Sequence, residues 1–235
     1  QGMLLPQAFP NLPELDIDAT YSPAQKVGGD LYDVFLLGEG RLGVAIADVS
    51  GKGIPASLLM AICQTNLRHF ARLLNSPAEV LCALNREMSA EMREDMFITI
   101  IYAIIDTKKQ TLTLARAGHE LPLLIHSSDA TSVVPVASEG MALGMVPSEI
   151  FDAVIADGTV PFGSGDVLLM YTDGLTESMN AEGIEFSTQR LMKAMLTLRN
   201  RSARDLNKGI LETLERFTGD SRPEDDITLT TIKYR

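Results

Sequence analysis

Four acidic positions share one local context in this chain of 235 residues. Asp30 follows Gly28-Gly29, and Asp48 ends the apolar run 44–47 just before Gly51 and Gly53. Asp173 ends a second apolar run, 167–171, and precedes Gly174; the pair Asp225-Asp226 stands before an alternating segment over 227–234. Carboxylates gathered without basic partners repel one another, and a divalent cation reverses that sign. All-oxygen ligation selects Mg²⁺ or Mn²⁺, whereas zinc asks for Cys or His. Two such ions, about 3.5–4 Å apart, activate a water and clamp a phosphoryl group. The chemistry implied is phosphate ester hydrolysis without a nucleophilic side chain. The sequence has no Cys-x5-Arg loop, Walker-type lysine loop or GxSxG elbow to offer another route. Read singly, each aspartate is also what an ordinary turn or cap employs.

These positions need strands that end together. Residues 15–21 alternate and predict a strand with one solvated face. Residues 31–37 and 41–48 predict a hairpin around Gly38 to Gly40, with Asp30 opening it and Asp48 closing it. Pro55 suits the first turn of the helix that follows. Over 54–74, Leu59, Ile62, Asn66, Phe70 and Leu73 or Leu74 fall on one side at helical spacing. Ser76-Pro77-Ala78-Glu79 reads as a capping box for a second helix carrying Val80, Leu81, Leu84, Met88 and Met92. Residues 97–106 and 110–117 predict a second hairpin turning at Lys108-Lys109, and 121–126 a further strand. Two antiparallel hairpins in succession exclude a doubly wound parallel sheet. The stretch 127–139 reads as a loose hairpin, 140–147 as a glycine loop, 151–160 as a strand and 163–166 as a tight turn. Polar residues 175–186 read as a mobile segment. Ser187 and Ser202 each open a helix, burying Leu191, Ala194, Met195 and Leu198 in the first and Leu206, Ile210, Leu214 and Phe217 in the second.

Composition sets bounds. Hydrophobic residues make up 46% of the chain, enough for a sizeable core, and the net charge of −11 disfavours a nucleic-acid backbone as partner. No run of about 18 apolar residues indicates a transmembrane helix. Cys63 and Cys82 form no CxxC pair and read as reduced thiols of a cytoplasmic protein. His69, His119 and His126 lack ligand spacing to one another; His119, in AGHELP, is a turn histidine suited to orienting backbone. Residues 1–10 resemble the end of a helix that starts upstream, as in a domain cut from a longer protein with a sensor or receiver module in front. Residues 11–235 then read as one domain.

Taken in order, KVGGDLYD, ADVSGKGIPASLLM, FITIIYAIID, AGHELPLL, ALGM, YTDGLTES and EDDITL resemble the bacterial stage II sporulation E-type branch of the metal-dependent (PPM) serine/threonine protein phosphatases, relatives of the type 2C enzymes. The resemblance runs from about Leu5 to the end. It implies an α+β fold, a four-layer α-β-β-α sandwich of two antiparallel sheets flanked by helices (PP2C-like). It also implies a site for two Mn²⁺ or Mg²⁺ ions, with Asp30, Asp48 and Asp173 as the catalytic carboxylates. In that site Asp48 bridges both ions and the Val49 carbonyl contacts one. Asp173 and Asp225 complete it, with Asp226 as second choice to Asp225, and Asp30 binds directly or through water. Water activated by the ions would attack phosphoserine or phosphothreonine.

The substrate implied is a phosphorylated STAS-domain protein, an anti-sigma factor antagonist. The helix from Ile54 resembles the element through which upstream domains switch such a site, and a homodimer through neighbouring helices fits the same picture. The arginine that eukaryotic relatives place on the phosphate is not evident; Lys26 is the nearest cation and reads as solvated. Two other functions compete: hydrolysis of a small phosphoester or nucleotide, for which no aromatic or basic cluster is visible, and a metal-free pseudo-phosphatase acting as a binding module, against which the retained aspartates count.

Overall fold

The computed structural model describes residues 5, 6, 8–25, 27–38, 40–93, 95–219 and 223–235. Lys26 lies outside them, as do residues 1–4 and 7 of the expected upstream helix end; residues 5, 6 and 8–10 carry no helical turn. The chain divides into two compact units, Gln1–Pro10, Val27–Leu121 and Ala137–Phe162 in the first and Asn11–Lys26, Pro122–Val136 and Gly163–Arg235 in the second.

The second unit opens with strand β1 (Leu15–Ser22). The first contributes β2 (Leu31–Gly38), β3 (Arg41–Val49), helices α1 (Ile54–Leu73) and α2 (Pro77–Glu91), β4 (Ile98–Asp106) and β5 (Thr111–Ala117). Strands β6 (Leu123–Ile125) and β7 (Val134–Pro135) belong to the second unit, α3 (Ser148–Val154) and β8 (Gly158–Pro161) to the first. Strand β9 (Val167–Tyr171), helices α4 (Asp173–Thr176), α5 (Ser187–Leu198) and α6 (Ala203–Thr218), and β10 (Ile227–Tyr234) complete the second. Each unit holds one five-stranded antiparallel sheet, ordered β2-β3-β4-β5-β8 in the first and β1-β10-β9-β6-β7 in the second.

In the first unit, α1 packs on β2 and β3, and α2 on β4 and β5. Strands β3 and β4 are buried along nearly their whole length, which explains their continuous apolar sequences. The β4–β5 turn is tied by Asp106, whose Oδ1 accepts from the amides of Lys108 (3.0 Å) and Lys109 (2.9 Å). Ser76 caps α2 as expected, its Oγ accepting from the Glu79 amide at 3.2 Å. Helix α1 turns differently from the expected face. Ala56, Leu59, Met60, Cys63, Leu67 and Ala71 are buried, while Ile62 and Leu73 are exposed. This helix carries apolar residues on both sides, so spacing alone leaves the choice of face open.

The strand expected over 151–160 is replaced by α3 and β8. Phe151, Val154 and Ile155 match a helical stripe as well as an alternating one, and Pro147 caps the turn that buries Phe151. Asp157, between the two elements, accepts the Ala78 amide at the start of α2 (2.7 Å).

In the second unit, α6 packs on β1 and β10 and against α5. Leu191, Ala194, Met195, Leu206, Ile210 and Leu214 join Leu169, Tyr171 and Leu229 in one apolar cluster, with Leu198 and Phe217 at its margin. Fully burying a leucine, isoleucine or methionine side chain of this cluster contributes about 1.5–3 kcal/mol. Ser202 caps α6 by accepting the Asp205 amide at 3.1 Å, whereas Ser187 opens α5 as its first residue without a capping bond. The 175–186 segment, expected to be mobile, is tied down by local hydrogen bonds and buried side chains. Asn180 Oδ1 accepts from Glu182 (3.1 Å) and Ile184 (2.9 Å) amides, the Phe186 amide donates to the Ser178 carbonyl (2.9 Å), and Leu175 and Phe186 are buried. The 127–139 stretch does not pair with itself as expected: it opens with a 3-10 turn over Ser127–Asp129 and supplies β7, whose partner β6 lies before it.

Candidate functional site

The acidic positions of the first unit are Asp30 and Asp48. In the β2–β3 ladder Leu31 pairs with Ala47, so Asp30 lies one step beyond the register at the place where Asp48 sits on β3. Asp30 is 2% exposed and Asp48 half-buried. Gly29 is what allows this close packing. A Cβ at that position would lie 2.7 Å from the Val49 carbonyl oxygen, 3.4 Å from Asp48 Oδ1 and 3.5 Å from the Ala56 Cβ. The turn beyond Asp48 is built by Gly51 (φ 91°) and Gly53 (φ 78°), left-handed conformations that favour glycine. Ser50 ties this turn to the start of β4: its amide donates to the Phe97 carbonyl (3.0 Å), and its Oγ accepts the Phe97 amide (2.8 Å).

In the second unit, Asp173 opens α4 directly after buried β9, and the Glu177 amide donates to its carbonyl at 2.8 Å. The neighbouring Thr172 bonds to β10: the Thr172 amide donates to the Thr228 carbonyl (3.1 Å), and the Thr228 amide donates to Thr172 Oγ1 (3.0 Å). Gly174 faces the Asp225-Asp226 main chain so closely that no side chain fits there. Asp226 is 6% exposed and its Oδ1 accepts the Ala24 amide at 2.9 Å, whereas Asp225 is exposed. Asp225 Oδ1 accepts the amide of Asp226 (2.9 Å).

The structure thus places Asp30 beside the end of β3 that carries Asp48 and the Val49 carbonyl, and sets Thr172 and Gly174, on either side of Asp173, against the main chain of Asp225-Asp226. Among the described residues, no three His, Cys, Asp or Glu side chains stand close enough to hold one ion. The donors in both groups are nonetheless oxygens alone, and at Gly29 and Gly174 the missing side chain leaves room for them. That donor chemistry fits Mg²⁺ or Mn²⁺.

Two features escaped the sequence reading. Asp33, 0% exposed on β2, is bound by Arg68 of α1, with Nε to Oδ2 and Nη2 to Oδ1 both at 2.6 Å. The Arg68 guanidinium also lies 5.6 Å from the centre of the Phe35 ring, and the Asp33 contact pushes its pKa up. The available signal was a lone aspartate inside the apolar strand LYDVFLL, which requires a partner if buried. The second feature is Thr99, opposite Asp48 on β4, whose hydroxyl lies 2.9 Å from His119 Nδ1. His69 is exposed, with its ring against Phe70, and His126 lies 3.3 Å from Asp166.

Comparison with known proteins adds to this geometry. The chain is 31% identical over all 235 residues to the phosphoserine phosphatase RsbU of Bacillus subtilis, and spans 68% of that protein. It superimposes on the RsbU and RsbW domains of Rv1364c from Mycobacterium tuberculosis with a TM-score of 0.79 at 27% identity, over 94% of this chain and 60% of that one. The PP2C phosphatase domain of the cell fate determinant SpoIIE from Bacillus subtilis gives a TM-score of 0.80 at 18% identity, over 93% of this chain and 63% of that one. These likenesses, with the two antiparallel sheets and their helices, show the expected PP2C-like fold. Residues 38–235 match the family model of stage II sporulation protein E, and the chain belongs to that family, SpoIIE.

Proposed function

We propose that this chain is a divalent-metal-dependent protein serine/threonine phosphatase domain acting on a phosphorylated regulatory protein. The observation that carries the reading is at Gly29: a member of the SpoIIE family leaves out a side chain where the Val49 carbonyl and the Asp48 carboxylate crowd together. The similarity to RsbU over the whole chain supports phosphoserine chemistry.

The cations would be held by Asp48, Asp173 and Asp225, with the Val49 carbonyl, and with Asp30 directly or through water. The burial of Asp226 and its bond to Ala24 favour the exposed Asp225 as the direct ligand of that pair. When bound, two Mn²⁺ or Mg²⁺ ions supply the positive charge that lowers a water's pKa and neutralises phosphoryl oxygens. The chain's own part is positional. Asp30 and Asp48 hold carboxylates at the end of the first sheet, and the Thr172–Thr228 bonds fix the strand that presents Asp173.

The substrate in this reading is a phosphorylated STAS-domain antagonist of an anti-sigma factor, and the setting a cytoplasmic signalling protein with an upstream sensor or receiver domain and a homodimeric assembly. No helix among the described residues is long and apolar enough to cross a membrane. The test is release of phosphate from a STAS-domain protein phosphorylated on serine, followed by a mobility-shift gel. Removal of the phosphoserine by the chain with Mn²⁺ supports the reading. Retention of the phosphate, with an aryl phosphate still hydrolysed, refutes the substrate assignment.

A further inference from the structure

His119 is 3% exposed in a turn after β5, although a histidine at a loop usually reaches solvent. The turn around it is held on several sides. Gly118 adopts φ 73°, forms a bridge with Ile100 on β4, and a Cβ there would lie 2.8 Å from the Ala142 amide. Arg116 donates from Nε to the His119 carbonyl and from Nη1 to the Ser138 carbonyl (3.2 Å). These bonds hold the turn that carries the imidazole, and Thr99 is one of the groups it meets. Thr99 Oγ1 lies 2.9 Å from His119 Nδ1 and 3.5 Å from the main-chain carbonyl oxygen of Asp48. Thr99 and Asp48 are register partners at the end of the β3–β4 ladder. A hydroxyl has one proton to give. If it is given to the Asp48 carbonyl, the hydroxyl must accept from His119, which requires the tautomer protonated on Nδ1.

We infer that His119 is a positioning residue for the metal site. Through the Thr99 hydroxyl it fixes the end of β3 on which Asp48 stands, and it does so as the Nδ1–H tautomer. The inference rests on Asp48 being a metal ligand, as proposed above. Partners that orient a ligand govern affinity for the ion, so the first readout is binding, not turnover. Asparagine places an amide nitrogen near the position of Nδ1, and glutamine reaches instead toward Nε2. The variants are therefore Thr99→Val, Thr99→Ser, His119→Asn and His119→Gln in the whole chain.

Mn²⁺ affinity is measured by calorimetry, melting is recorded in chelator, and the His119 tautomer is read from ¹⁵N NMR of the wild-type chain. Thr99→Val and His119→Gln are expected to weaken Mn²⁺ binding about tenfold. Thr99→Ser and His119→Asn should keep it, and the NMR should show Nδ1 protonated. A double variant Thr99→Val/His119→Gln should lose no more than either single change, because both break one chain of bonds. Wild-type affinity in Thr99→Val, an Nε2–H tautomer, or additive losses overturn the inference while leaving the metal site in place. A drop in melting temperature with unchanged Mn²⁺ affinity also overturns it, because that is a structural role alone. If the wild-type chain takes up no Mn²⁺, the metal reading itself fails and the inference falls with it.

Discussion

The substitution Gly29→Ala probes the candidate site with a single methyl group. Gly29 does not adopt a left-handed backbone angle, so alanine meets no conformational penalty there; the whole effect lies in what the Cβ touches. It would sit 2.7 Å from the Val49 carbonyl oxygen, where a carbon–oxygen contact needs about 3.3 Å. The obstacle is backbone, in a strand pair fixed by its ladder, and cannot swing aside as a side chain would. Overpacking of this kind costs about 1–3 kcal/mol. In a chain of this size each kcal/mol lowers Tm by about 2–4 °C, so the expected fall is about 2–12 °C. The Val49 carbonyl and Asp48 must yield by about half an ångström, and Mn²⁺ affinity should fall about tenfold. Differential scanning calorimetry gives the first number and isothermal titration the second. The control is Gly219→Ala, at the end of α6, where φ is 61° and a Cβ meets nothing within 4 Å. That change should cost about 1–2 kcal/mol of backbone strain and leave Mn²⁺ binding as it was. Gly29→Ala with wild-type melting and wild-type Mn²⁺ affinity would show that the space beside the Val49 carbonyl serves neither packing nor metal binding.

Three other outcomes follow from the same structure. Asp173→Asn should abolish turnover of an aryl phosphate while circular dichroism stays that of the wild type, as the proposed metal-holding role of this half-buried side chain requires. Arg68→Met should destabilise the chain by about 3 kcal/mol in urea unfolding, because it strands the carboxylate of Asp33, which has no exposure to water. Burial pushes the Cys63 and Cys82 thiols up to about 12, with Asp152 adding to the effect at Cys82, so the folded chain at pH 8 should react with a thiol reagent far more slowly than the urea-unfolded chain.

Local chemistry carried much of this molecule into its sequence. The hairpin bearing Asp30 and Asp48 is written in two glycines and two apolar runs, and the start of α2 in a serine, a proline and a glutamate. The inward faces of α5 and α6 were legible because each has one apolar stripe and a polar remainder. Where a segment is apolar on two sides, spacing does not choose. Helix α1 therefore buries Cys63 and Leu67 and leaves Ile62 exposed, since the sheet beneath it decides. Residues 151–160 satisfy both periods, and the helix that forms packs on α2 and buries Phe151, a long-range contact that spacing does not reveal. The partners of Asp33 and His119 were invisible for the same reason: Arg68 and Thr99 lie on other elements, and only the fold sets their distance. Of the candidate site, the aspartates and the glycines beside them were legible, but the space that Gly29 leaves for the Val49 carbonyl was not.

Metal-dependent phosphatase activity is tested by the hydrolysis of p-nitrophenyl phosphate by this chain with Mn²⁺, repeated after addition of a chelator. Turnover should depend on Mn²⁺, stop in chelator and return when the ion is restored in excess. Hydrolysis that persists unchanged in chelator, or a chain that neither hydrolyses the ester nor binds Mn²⁺ in a calorimetric titration, would contradict that activity.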